Sequence, residues 1–136
     1  MTKSRRESIC PPGTEAVYTN YHFSPATRVG DMIWVSGQVG SDGKGLPGAD
    51  MEAQARLAFT NLQSVLAAAG AGLGDIVDLM TFHTHFHRDI QAFAAVKDEF
   101  LPANFPSWTA IGVTELAHPD YLVEVRAIAI RGSDPS

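Results

Sequence analysis

A shortage of helices is what most constrains this chain. Five stretches read as strands, at 15–27, 32–39, 75–87, 107–113 and 122–130, while only two read as helices. The last strand sets the problem most clearly. Val123, Val125, Ala127 and Ala129 form one face, and Glu124, Arg126, Ile128 and Ile130 form the other. Apolar residues stand on both sides, so both faces of the sheet need cover. Two helices laid on one face give an α+β layer architecture. The second face is then bare, and the order β-β-α-β-α-β-β predicts self-association to cover it. No repeat and no linker divides the chain. The expected organisation is an irregular N-terminal arm at 1–14, one domain at 15–131 and a short tail at 132–136.

The helices carry their own signatures. Asp50 is placed to cap a helix from Met51. Ala55, Ala58, Phe59, Leu62, Val65, Leu66 and Ala69 recur at steps of three and one, the stripe of an amphipathic helix. Gly70 and Gly72 are placed to end it. A second helix is expected from a cap at Asp89, with Ile90, Phe93, Val96, Phe100 and Leu101 inward and Pro102 closing it. In the strand at 32–39, Gly37 predicts a bulge or a close approach by another group. Four glycines and a proline in residues 40–48 predict a loop.

Composition narrows the function classes. The 136 residues carry ten basic and fifteen acidic side chains, a net charge of −5. Lys3, Arg5 and Arg6 lie at the start, so the rest has seven basic against fifteen acidic residues, or −8. No basic stripe remains for nucleic acid. No apolar run approaches the roughly 18 residues of a membrane span. The lone Cys10 forms no intrachain disulfide, which fits a reducing compartment. The expectation is a cytoplasmic protein with small-molecule or protein partners.

Some motifs fail on context. Gly43-Lys44-Gly45 lacks the Ser or Thr and the immediate helix of a phosphate loop. Gly70-Ala-Gly-Leu-Gly74 follows a helix rather than a strand, so it is no dinucleotide fingerprint. Others carry weight. His83, His85 and His87 alternate, which in a strand puts three imidazoles on one face about 6.6–6.8 Å apart. Three ligands from one straight strand converge poorly on an ion that needs donors at about 2.0–2.1 Å. A metal site, a substrate cleft and a polar sheet face are the open readings, and no metal is assigned. Glu124 is a carboxylate among valines, either a cleft base or the partner of Arg126 in an ion pair. Trp108, after Phe105-Pro106-Ser107, is core, interface or pocket wall.

These segments together resemble the RidA/YjgF family, also called L-PSP endoribonuclease-like. The matching stretches are Phe23-Ser-Pro-Ala26 with Val29-Gly-Asp31, Ile33-Trp-Val-Ser-Gly-Gln38, Glu52-Ala-Gln54 through Asn61-Leu62 to Ala68-Ala-Gly70, Asp75-Ile-Val77, Phe105-Pro106, Gly112-Val113 and Val123-Glu-Val125. They run in order over residues 15–131.

The resemblance implies a chorismate-mutase-like α+β fold and a homotrimeric barrel with small-molecule clefts between subunits. The implied chemistry is hydrolysis of reactive imines and enamines, releasing ammonia, with no cofactor. Carried over residue by residue, Glu124 is the cleft glutamate that positions water. Ser36, Gly37 and Gln38 form the cleft wall. The family tyrosine falls on Phe23, its cysteine on Ala110, and its carboxylate-clamping arginine on Trp108.

An indole has one N–H donor and no charge, so it is no substitute for a guanidinium fork. Arg126 and Arg28 are the candidates for the missing charge. The first reading is therefore an imine or enamine deaminase on an atypical substrate, with Glu124 and His83 as catalytic residues. Phe23, Ser36, Gly37, Gln38, Trp108, Thr109 and Arg126 are its substrate-binding residues. The second is a binding trimer that has lost the chemistry. A third, the nuclease label of the family, is opposed by the acidic surface.

Overall fold

Strand β6 (Val123–Ile130) explains most of the architecture. In the computed structural model, which describes residues 5–136, it runs between β3 (Met32–Val39) and β4 (Ile76–His83), antiparallel to both. The six strands form one sheet in the order β1-β2-β3-β6-β4-β5, where β1 is Arg6–Ile9, β2 is Ala26–Val29 and β5 is Ser107–Gly112. All pairings are antiparallel except β4 with β5, which are parallel and joined through a helix.

The alternation of β6 sorts the molecule into two sides. Val123, Val125, Ala127 and Ala129 are buried under helices α2 (Met51–Ala68) and α3 (Phe86–Phe100). Asp50 caps α2 as expected, its Oδ1 accepting from the Ala53 N–H at 2.9 Å. The α2 stripe meets the sheet with Ala55, Ala58, Phe59, Leu62, Val65 and Leu66. Alanines on both β6 and α2 let the layers approach closely. Phe59 fills the space towards α3, stacked on Phe93 at 5.7 Å and on Phe100 at 5.3 Å. Burying such a ring contributes about 1.5–3 kcal/mol. On the other side Met32, Val77, Ile111 and Ile130 are exposed beside Glu124 and Arg126. Neither α2 nor α3 covers that face.

Gln54 ties three segments together. Its Nε2 donates to the carbonyls of Gly48 and Asp120, and its Oε1 accepts from the Leu122 N–H. The loop after β3, the start of α2 and the entry to β6 are thereby held to one amide.

Four expectations need correction. The strand expected at 15–27 is a short helix α1 (Glu15–Tyr21) followed by β2. Val17, Tyr18, Thr19 and Tyr21 favour a strand by type, yet none of α1 is buried, so no sheet neighbour holds them extended. Glu15 accepts from the Gly13 N–H, and His22 turns the chain at φ 63°. Pro25 keeps the preceding residue out of helical space, and β2 begins immediately after it.

The arm expected to be irregular contains β1, which pairs with β2 from Arg6↔Val29 to Ile9↔Ala26. That strand satisfies an edge the sheet would otherwise expose. Residues 1–4 of the arm lie outside the described residues.

The strand expected to reach residue 87 ends at His83, and α3 begins at Phe86. The Val113 N–H closes the β4–β5 ladder on the His83 carbonyl. Asp89 lies inside the first turn of α3, paired with Arg88, and caps nothing. No described helix is long and apolar enough to cross a membrane.

Candidate functional site

Glu124 stands on the bare face of β6, half-buried beside β3. The ladder between β3 and β6 slips between Val35 and Gln38, which is the bulge that Gly37 predicts. The bulge makes room for the carboxylate: a Cβ at Gly37 would overlap Glu124 Oε2 and Cδ. Glu124 has no hydrogen bond or ion pair among the described residues. Burial pushes its carboxyl above the ordinary glutamate range. The ion pair with Arg126 is therefore not formed, although both side chains share the face.

Beside Glu124, the same face hollows into a cleft of about 500 Å³ between β1, β2, β3 and α1. Tyr18, Phe23 and Trp34 supply its aromatic wall, and Arg6 and Arg126 supply charge. Ser8, Ser24 and Ser36 supply hydroxyls, already turned on one another: Ser36 Oγ donates to the Ser24 carbonyl, and Ser8 and Ser24 Oγ lie 2.6 Å apart. Gln38 donates its amide to the Ser36 carbonyl at 3.0 Å, but it is paired with the buried Val125 and is not among the residues that line the cleft, so its expected place in the cleft wall is corrected.

The remaining candidates lie on the opposite side of the sheet. Trp108 is paired with Leu79, so its side chain points to the helix layer. It packs on Phe93, lies under the Lys97 ammonium at 4.7 Å, and donates its Nε1 proton to Thr81 Oγ1 at 3.0 Å. Thr81 Oγ1 is in turn 2.8 Å from His83 Nε2.

The indole can only donate, so the hydroxyl accepts there and shares a second hydrogen bond with His83 Nε2. The other ring nitrogen, His83 Nδ1, is buried without a partner among the described residues. Burial holds the imidazole below its ordinary pKa, against the pull of Asp89. His83 is fully buried, edge-on to Phe86 and Phe93.

Within one chain, Trp108 and His83 therefore do not face Glu124. The cause is the parallel β4–β5 register. The expectation of three histidines on one face falls, because His85 and His87 lie beyond the end of β4. Among the described residues no group of three or more His, Cys, Asp or Glu is placed to hold a metal. Thr109 is exposed on the edge strand β5, opposite Met80. Arg28 is committed elsewhere, donating to the Ala69 carbonyl and pairing with Glu7. It is therefore not a spare clamp.

Sequence reasoning missed Arg6, Tyr18 and Ser24 of the cleft. It also missed Thr81, whose only signal is a hydroxyl two residues before His83.

A six-stranded sheet with helices on one face and a bulged Ser-Gly-Gln strand against a glutamate defines a known class. The chain belongs to the RidA/YjgF family, whose sequence model, described as Endoribonuclease L-PSP, matches residues 13–131. The RutC family protein YjgH of Escherichia coli (strain K12) is 43% identical over 123 residues, 90% of this chain and 94% of that protein. A 2-iminobutanoate/2-iminopropanoate deaminase of Dermatophagoides farinae is 32% identical over 110 residues, 79% of this chain and 84% of that one. Among solved structures, Protein YJGH superposes with a TM-score of 0.84 at 41% identity, covering 94% of this chain and 98% of that chain.

Proposed function

We propose that the protein hydrolyses an imine or enamine of a small metabolite, releasing ammonia, in a cleft completed by a second copy of the chain. The observation that carries this is the Glu124 carboxylate, half-buried, unpaired and seated over Gly37. A carboxylate with a raised pKa is suited to take a proton near neutral pH and return it. Glu124 holds a water and removes its proton as the oxygen attacks the C=N carbon. The proton then passes to nitrogen, the C–N bond breaks, and a carbonyl compound and ammonia leave. No cofactor takes part in this sequence. Relatives named as deaminases of 2-imino acids support the reaction class.

The two faces explain why a second copy belongs in this reading. Glu124, Ser36 and Phe23 lie on the bare face, while the part-exposed Trp108 lies on the helix side at the β4–β5 end; His83 is fully buried behind it and touches no ligand. One ligand reaches both Glu124 and Trp108 only if they come from different chains. A homotrimer with the bare faces turned inward supplies that arrangement and covers Met32, Ile111 and Ile130. A single cysteine and the absence of a membrane-crossing helix among the described residues fit a cytoplasmic setting for this chemistry.

The test is ammonia release from a panel of imines generated in place from amino acids. Glu124→Gln is expected to lose at least 100-fold while keeping the wild-type melting temperature within a few degrees. Unchanged release by that variant overturns the role of Glu124. A monomeric mass by light scattering overturns the shared cleft.

A further inference from the structure

The cleft beside Glu124 has a charge pattern unlike the rest of the chain. The protein carries −5 overall, yet Arg6 and Arg126 both line this cleft, and no Asp or Glu stands among the described residues that line it. Two guanidiniums on one concave surface raise the local potential, strengthened by the low-dielectric walls. Arg126 is exposed and makes no hydrogen bond or ion pair among the described residues, so its fork is available. The walls are as informative as the charge. Tyr18, Phe23 and Trp34 are three aromatic faces around one opening. Phe23 is 50% exposed and Tyr18 53%, an apolar surface with nothing laid on it.

We infer that this cleft is an anion site for ligands with a flat aromatic body, and that Arg126 is its specificity-determining clamp. The inference deepens the hydrolase reading by naming the substrate class, and it rests on that reading only for what happens after binding. Arg126 follows Glu124 by two residues on the same face of β6, a rise of about 6.8 Å. A carboxylate held by the Arg126 fork therefore sets the carbon next to it towards Glu124. The ring of the ligand lies between Trp34 and the Tyr18–Phe23 wall. A small aliphatic acid satisfies the arginine but leaves the aromatic wall bare. A neutral aromatic does the reverse.

The experiment is equilibrium binding by calorimetry to the full chain, which needs no turnover. The probes are phenylpyruvate, pyruvate and the neutral phenylacetone. Phenylpyruvate is expected to bind at least tenfold tighter than either of the others. Arg126→Gln is expected to weaken it at least tenfold, Arg126→Lys to recover part of that loss, and Trp34→Leu to weaken phenylpyruvate without affecting pyruvate. Arg126 is solvent-facing, so an unchanged melting temperature confirms that its variants fold.

Equal binding by Arg126→Gln, equal binding of the three probes, or no binding of phenylpyruvate overturns the inference. Binding as expected with no ammonia release from any imine removes the hydrolase reading and leaves the anion site. Ammonia release that survives Arg126→Gln unchanged does the opposite.

Discussion

The two faces of one sheet differ in almost every respect. The face under α2 and α3 is dry, aromatic and closed, with Phe59, Leu62, Leu66 and Leu79 fully buried. Its polar groups are wired to each other, as in the series Trp108, Thr81, His83. The bare face holds Glu124 and Arg126 without partners, and a cleft whose hydroxyls only brace its wall. Same strand, same sequence, opposite economy: the odd residues of β6 hold the fold together and the even ones face outward to chemistry. Stability and activity should therefore respond to different substitutions.

Breaking the closed face carries the largest expected effect. Phe59→Ala removes a ring stacked on two others and should cost about 3–5 kcal/mol of unfolding free energy in denaturant melts. Activity per folded molecule should stay near wild type. If that variant melts like wild type, the closed face is not where stability resides. On the bare face, Gly37→Ala places a methyl where the Glu124 carboxylate lies. Ammonia release should fall at least tenfold, about 1.4 kcal/mol of barrier, with a melting temperature close to wild type.

The smallest effects are set by pH and should have opposite signs on the two faces. His83 is held below its ordinary pKa by burial, so the unfolded chain binds a proton first as the pH falls. Stability should decline from about pH 6.5 downward, and His83→Phe should flatten that decline. Glu124 is held above its ordinary pKa, so the folded chain keeps its proton longer. Its contribution is full in acid and lost as the pH rises through the raised value. Glu124→Gln should therefore gain stability relative to wild type at pH 8 and show no gain at pH 4. Thermal melts at the two pH values measure both, and slopes of the same sign would erase the contrast.

The closed face was the legible one. Stripe spacing in α2, the Asp50 cap and the parity of β6 are local patterns that packing then enforces. Gly37 was legible for the same reason, since a glycine inside a strand of β-formers has few uses. Elements without a buried stripe were not. Arg6–Ile9 has no apolar alternation and is a strand only because β2 offers it an edge. Helix α1 is seven residues with nothing buried, so its β-branched and aromatic residues misled.

Trp108 shows a different limit. Its position beside a proline turn was visible, but its facing depends on pairing with Leu79, twenty-nine residues away in the chain. Register between strands is a tertiary fact, and the candidate site inherits it. Gln54 was hidden likewise, a polar residue on an apolar stripe whose partners lie in two separate loops.

The parity of β6 has one more consequence, for how such a chain can change over time. Inserting one residue within Val123–Ile130 would turn the buried valines and alanines outward and carry Glu124 and Arg126 into the core. Inserting one in the loop at 113–122 shifts no facing at all. The strand therefore tolerates substitution but not a change of length, whereas the loop before it can lengthen ahead of Asp120 and Leu122, which Gln54 holds. Descendants of this sequence can acquire new ligands by altering the even positions of β6 and the loops near them, so long as the count along that one strand is kept.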